Sequence, residues 1–187
     1  VTPEDTDAPE APEAVVPRSR VALFVATALV ALVLDVVSKI VVVDQLKVTD
    51  RPLRVLGGLF YLQQTRNAGA AFSLGTGFTI VLTVVALAVV VIIARTAGRL
   101  RSAAWALALG LILGGALGNL SDRIFRSPGI GRGQVVDWIS AFGPDAVHWP
   151  IFNIADSAIV CGAILAGILA VLGVDFDGRQ PRHRRHE

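Results

Sequence analysis

Residues 21–43 read VALFVATALVALVLDVVSKIVVV, twenty-three positions in which only Asp35 and Lys39 carry charge. A helix rises about 1.5 Å per residue, so this stretch reaches roughly 35 Å and matches a hydrocarbon core of about 30 Å. A cleavable leader is a poorer reading: the preceding flank is acidic, the apolar run is too long, and no small-residue cleavage site follows. Three further runs of spanning length follow, over about 78–94, 103–120 and 151–174. With 53% hydrophobic residues and a mean hydropathy of +0.64, the 187-residue chain is too apolar for an ordinary soluble domain. An all-α membrane protein is expected, a four-transmembrane-helix bundle forming one unit over 18–175.

Outside the spans the charges segregate. Residues 1–17 hold Glu4, Asp5, Asp7, Glu10 and Glu13 among prolines, the composition of a disordered acidic tail. Residues 176–187 form a basic tail with Arg179, Arg182, Arg184 and Arg185, suited to anionic lipid headgroups rather than to nucleic acid. Four spans put both termini on one side. That side carries nine basic residues against seven on the other, and Arg95, Arg99 and Arg101 crowd its one short loop, which favours cytoplasmic termini. The opposite loops are the long ones, about 44–77 and 121–150. The first contains Val55 to Thr65, strand-forming and punctuated by Gly57 and Gly58, so a small β-containing extracytoplasmic subdomain with a hairpin is expected. The second reads as an ordered surface loop.

Ionisable groups at membrane depth are expensive and are functional candidates by default. Asp35 and Lys39, spaced i, i+4, form either an internal ion pair that positions helices or a proton relay or substrate contact. Asn119, Asp122 and Arg123 close span three, as a polar substrate-binding cluster or as a helix cap with an interfacial arginine. Asp137 stands in the apolar pentad Val135–Ile139, and Asp156 about two turns into span four. Sharing one site, the two would hold one proton between them and could activate water against a peptide carbonyl. Their separation of 19 residues is equally compatible with two separately satisfied polar groups.

Other chemistries lack their signatures. His148 is the only histidine before the tail, no HExxH pattern exists, and neither a GxSxG elbow nor a nucleotide loop is present. No metal and no cofactor is expected. Cys161 stands alone and reads as a small buried hydrophobe, with no disulfide framework.

Five blocks carry a family resemblance. Asn67-Ala68-Gly69-Ala70-Ala71-Phe72-Ser73 resembles the NxGxAFS signature of lipoprotein signal peptidases (signal peptidase II). Gly118-Asn119-Leu120-Ser121-Asp122-Arg123 is similar to their GNLxDR segment, Val136-Asp137-Trp138-Ile139 to their VD-aromatic-I block, and Phe152 to Ser157 to FNxADS. Leu34 to Lys39 resembles LDQxxK, departing at Val36, which puts one hydrogen bond in span one in doubt. The blocks run in order from residue 34 to 157, about two-thirds of the chain.

The resemblance implies a metal-free aspartic endopeptidase that removes signal peptides from diacylglyceryl-modified prolipoproteins. It implies a monomer in the bacterial cytoplasmic (inner) membrane, with its active site near the outer face. By motif position the catalytic residues are Asp137 and Asp156. Asn67, Gly69, Asn119, Arg123 and Asn153 fall on positions that shape the site or hold substrate. Asp35 and Lys39 match a structural polar pair, and Asp122 is expected to brace Arg123. The rival reading is a small proton-coupled exporter that relies on Asp35 and must oligomerise to build a path.

Overall fold

The computed structural model describes residues 18–48, 50–69 and 77–176. The expected acidic tail 1–17, the basic residues from 177 onward and residues 70–73 of the glycine motif lie outside them. The elements run α1 (Val21–Gln45), β1 (Leu53–Val55), β2 (Phe60–Asn67), α2 (Gly77–Thr96), α3 (Ala103–Phe125), β3 (Val135–Ala141) and α4 (Ile154–Val171). All four helices are long and apolar enough to cross a membrane. In hydrocarbon a spanning segment must satisfy its own backbone, so valine-rich runs become helices there despite the strand preference of valine. Side chains that face lipid need no polar cover: Val25, Leu29, Val33 and Ile40 on α1, Val84 and Ile92 on α2, and Val160 and Ile164 on α4 all point outward. Cys161 also lies exposed on α4, not buried as expected.

Helix α3 is the centre of the bundle and packs against the other three. Lipid tails are as apolar as side chains, so close approach and dispersion must supply the cohesion. Glycines make that approach possible. A Cβ on Gly110 would stand 2.8 Å from the Phe24 carbonyl oxygen, one on Gly114 would collide with the Ala28 carbonyl, and one on Gly118 would stand 2.5 Å from Asp35 Oδ2. These three glycines, four residues apart, form the seam to α1; Gly115 meets the Ala155 carbonyl of α4, and Gly162 of α4 meets that of Ala108. Gly114→Leu is therefore expected to cost about 3 kcal/mol or more by prying α1 from α3. Gly167→Leu, where a Cβ meets nothing within 4 Å, is expected to be neutral. Thermal unfolding midpoints in detergent distinguish the two.

One end of the bundle gathers the start of α1, the α2–α3 turn and the end of α4. The Arg20 amide donates to the Leu100 carbonyl at 3.0 Å, and the Arg101 and Ser102 amides to the Phe176 carbonyl at 2.8 and 3.0 Å. Trp105 stacks on Phe176 at 4.2 Å between centroids, and its Nε1–H donates to the Val174 carbonyl at 2.6 Å.

The opposite end carries an antiparallel sheet of order β1-β2-β3. Leu53 pairs Leu62 and Val55 pairs Phe60; across the other edge Leu62 pairs Ile139, Thr65 pairs Asp137 and Asn67 pairs Val135, with a bulge between Leu62 and Thr65. Gly57 and Gly58, at φ of 69° and 100°, make the tight turn that joins β1 to β2, a conformation other residues resist. The hairpin expected in the first long loop is thus present. Three expectations need correction. The second loop is not simply a loop: Val135, Val136, Trp138 and Ile139 are strand formers in a segment that pairs with β2. Helix α3 continues to Phe125, so the Asn119–Arg123 cluster occupies its last turns. Helix α4 begins late because Phe152 bridges to Ile139 and Asn153 caps the helix, which puts Asp156 in its first turn instead of two turns in.

Candidate active site

Beneath the sheet, the buried cation Lys39 collects three oxygens. Its Nζ lies 2.7 Å from Asp35 Oδ2 and 3.0 Å from Asp122 Oδ2, and donates to Asn119 Oδ1 at 3.0 Å. An ammonium has three donors, so every one is used. Both carboxylates are tied further. Asp35 Oδ1 accepts from the Ala155 amide at 2.9 Å, an otherwise orphan donor at the start of α4, and Asp122 Oδ2 accepts from the Val136 amide at 3.1 Å. One charge cluster thereby fastens α1, α3, α4 and β3 together.

The asparagines lie one layer above. Asn119, held through its oxygen by Lys39, donates Nδ2 to Asp156 Oδ1 at 2.7 Å. Asn153 is the N-cap of α4: its oxygen accepts from the Asp156 amide at 2.9 Å, and Asp156 Oδ2 accepts in return from the Asn153 amide at 3.2 Å. Its Nδ2 donates to Asp137 Oδ1 at 2.7 Å and also to Asn119 Oδ1 at 3.2 Å. Asn153 therefore touches both carboxylates. Asp137 Oδ2 accepts from Asn67 Nδ2 at 2.8 Å, while Asn67 Oδ1 accepts from the Gly69 amide at 2.7 Å, an Asx turn that orients the amide. Gly69 sits at φ 106°, which favours glycine there. Thr79 on α2 donates to the Ala68 carbonyl and pins this turn to the bundle.

Asp137 is buried, and loss of hydration, with the Asp156 carboxylate beside it, pushes its carboxyl up to about 7. Hydrogen bonds from Asn67 and Asn153 act in the other direction and do not outweigh burial. A cleft of about 350 Å³ opens against Asp137, lined by Thr65, Asn67, His148, Trp149 and Ile151 among others. Among the described residues no group of three or more His, Cys, Asp or Glu side chains is placed to hold a metal.

The sequence-expected residues Asp35, Lys39, Asn67, Gly69, Asn119, Asp122, Asp137, Asn153 and Asp156 thus form one continuous network. Arg123 borders it: its Nη1 donates to the Asn119 carbonyl at 3.2 Å, and its charge lies in the field of Asp156, Asp137 and Asp122. Asp122 does not brace Arg123 as expected. It pairs with Lys39 and Arg126, because residue 126 lies one turn further along the same helix face. Sequence reasoning missed Thr79 and the cleft walls at Thr65 and Trp149. Nothing in their local pattern distinguishes them from ordinary loop and helix residues.

A bundle of four spans under a small sheet, with two carboxylates joined through one asparagine at the junction, is the architecture of a membrane aspartic endopeptidase. The model of the family described as Signal peptidase (SPase) II matches residues 27–172, and the chain belongs to that family. It is 52% identical over 168 residues to the lipoprotein signal peptidase of Streptomyces coelicolor, covering 90% of this chain and 79% of that one. The lipoprotein signal peptidase of Mycobacterium tuberculosis is 48% identical over 172 residues, 92% of this chain and 82% of its own length. Two solved structures of bacterial membrane enzymes, obtained by the in meso method, superpose with TM-scores of 0.71 and 0.71 at 25% and 27% identity. They cover 93% and 85% of this chain, and 100% and 98% of their own.

Proposed function

We propose that this signal peptidase cleaves with Asp137 and Asp156 as its catalytic pair, on diacylglyceryl-modified prolipoproteins at the outer face of the bacterial plasma membrane. The observation that carries the pair is the double hold of Asn153, whose side chain donates to Asp137 while its backbone amide donates to Asp156. Asp137, at about 7, is the member that keeps the shared proton, which leaves the charge to Asp156. Asp156 takes a proton from water as the water oxygen bonds the scissile carbonyl carbon. Asp137 gives its proton to the carbonyl oxygen. On collapse the C–N bond breaks, the proton on Asp156 passes to the leaving nitrogen, and Asp137 recovers a proton from the hydroxyl. Asn67, Asn119 and Asn153 hold the carboxylates in place, and Arg123 and Gly69 shape the rim. The arginines at the end shared by the α2–α3 turn and the start of α1 support cytoplasmic termini. A lipidated substrate would keep its acyl chains in hydrocarbon while its scissile bond enters the cleft, and a monomer suffices for this chemistry. The exporter alternative loses its footing: Asp35 is fully buried beside Lys39, and the chain belongs to a peptidase family.

The test is cleavage by the full-length protein in micelles. A diacylglyceryl prolipoprotein is expected to yield a product that begins at the modified cysteine, with chelator present or absent. Equal cleavage of the unmodified precursor would overturn the substrate reading.

The pH profile supplies a second check. The proton that Asp137 must donate is held below about 7 and lost above it, so cleavage is expected to decline through that region on the alkaline side. Stability follows the same sign. Between about pH 4 and 7 the folded protein keeps a proton that the unfolded chain has released, so stability falls with rising pH and levels off above. Asp137→Asn is expected to flatten that slope in thermal unfolding; an unchanged slope would contradict the raised value.

A further inference from the structure

On the same end of the molecule a second cleft, of about 480 Å³, is lined by Phe125, Arg126, Ser127, Gln134 and by Arg66, which also borders the cleft at Asp137. We propose that this second cleft is a binding site for the phosphate of an anionic bilayer lipid, gripped by Arg66 and Arg126.

Arg126 pairs with Asp122 through Nε alone, and Asp122 already shares its other oxygen with Lys39. Among the described residues Arg66 has no ion pair; the Gln64 amide oxygen, turned toward it, accepts from Nη2 and Nε at 3.0 and 3.1 Å. Arg66 and Arg126 thus share one cleft without a carboxylate of their own, since Asp122 divides its two oxygens between Arg126 and Lys39. Burial and the neighbouring Arg126 guanidinium both pull Arg66 below its ordinary value, so the two cations are close enough to repel. An anion between them would turn that repulsion into attraction. The guanidinium N–H groups that Gln64 and Asp122 leave open suit a phosphate's oxygens, and the Ser127 hydroxyl and Gln134 amide line the same space as neutral donors.

The surroundings identify the source as lipid. Arg126 is the C-cap of α3, at the boundary of a membrane-crossing helix. Phe125, in the cleft wall, is 84% exposed, and Ile130, in the adjoining loop, is 87% exposed. Large apolar side chains so open to their surroundings fit the acyl boundary, with the arginines at headgroup level. The loop itself is built and tied down. The Gly133 amide donates to the Arg123 carbonyl at 3.0 Å, the Gln134 amide to the Ser127 carbonyl at 3.2 Å, and Thr83 of α2 to the Gly131 carbonyl at 3.0 Å.

The experiment uses the full-length protein in detergent with phosphatidylglycerol, phosphatidylcholine or inorganic phosphate added, read by native mass spectrometry and thermal shift. One phosphatidylglycerol is expected to bind and raise the melting temperature, with little response to phosphatidylcholine. Arg66→Gln is expected to weaken that binding about tenfold, and Arg66→Lys less, since it keeps the charge and loses the fork. Arg126→Gln also breaks the Asp122 pair, so Gln134→Leu, expected to weaken binding by removing a neutral donor, serves as a second variant should Arg126→Gln fail to fold. Undiminished phosphatidylglycerol binding in Arg66→Gln overturns the site. Equal stabilisation by inorganic phosphate, lost in Arg66→Gln, overturns the lipid as its occupant.

Discussion

Asp137→Asn and Asp156→Asn are each expected to lower prolipoprotein cleavage by about a thousandfold or more while the protein remains folded and inserted. The substitution keeps size and shape and removes the ability to trade a proton. At 137 it also sets an amide group against one of two donors, Asn67 or Asn153, at a cost of about 1–3 kcal/mol. At 156 the amide meets either Asn119 or the Asn153 backbone in the same way. Neither loss approaches the packing that joins α3 to its neighbours, so circular dichroism and membrane insertion should match the parent protein. Asp145→Asn is the control, because Asp145 bonds Gln63 at the exposed surface and should leave cleavage unchanged. A single dyad variant that cleaves at the parental rate would remove that residue from the mechanism.

The largest effect on stability is expected from Lys39→Met. Both Asp35 and Asp122 are nearly inaccessible, and the ammonium between them is 1% exposed. Removing it leaves two buried carboxylates facing each other, where breaking a buried pair typically costs about 3–5 kcal/mol. Asn119 also loses the donor that fixes its oxygen, so its grip on Asp156 loosens. A sharp drop in melting temperature should accompany loss of activity. The double variant Lys39→Met with Asp35→Leu should recover part of that stability, because Asp122 then retains Arg126 and no second carboxylate opposes it. If the double variant is no more stable than the single one, the cluster is not an electrostatic unit.

Much of the candidate site is legible in the sequence alone. Asp35, Lys39 and Asp156 stand out because charge is rare inside apolar runs, and Asp137 because its four neighbours are apolar. Their partners were less legible. The expectation that Asp122 braces Arg123 failed because adjacency along a chain is not adjacency on a helix, where residues four apart meet. Strand β3 was hidden in a loop rich in glycine, proline and charge. Its partner β2 ends about seventy residues earlier, and the Asn67–Asp137 bond crosses that gap.

The four spans are legible from apolar length alone, because each helix in a bilayer satisfies its own backbone and needs no partner to do so. The link between the two carboxylates through Asn153 has no such local cause. It depends on α4 starting at Ile154 and not earlier, on Thr65 pairing with Asp137 across the sheet, and on glycines that let α3 approach α1 and α4. A strand register shifted by one residue would turn Asp137 to the other face of the sheet. Each of these is a relation between segments far apart in the chain, fixed by packing and hydrogen-bond pairing once the bundle has assembled.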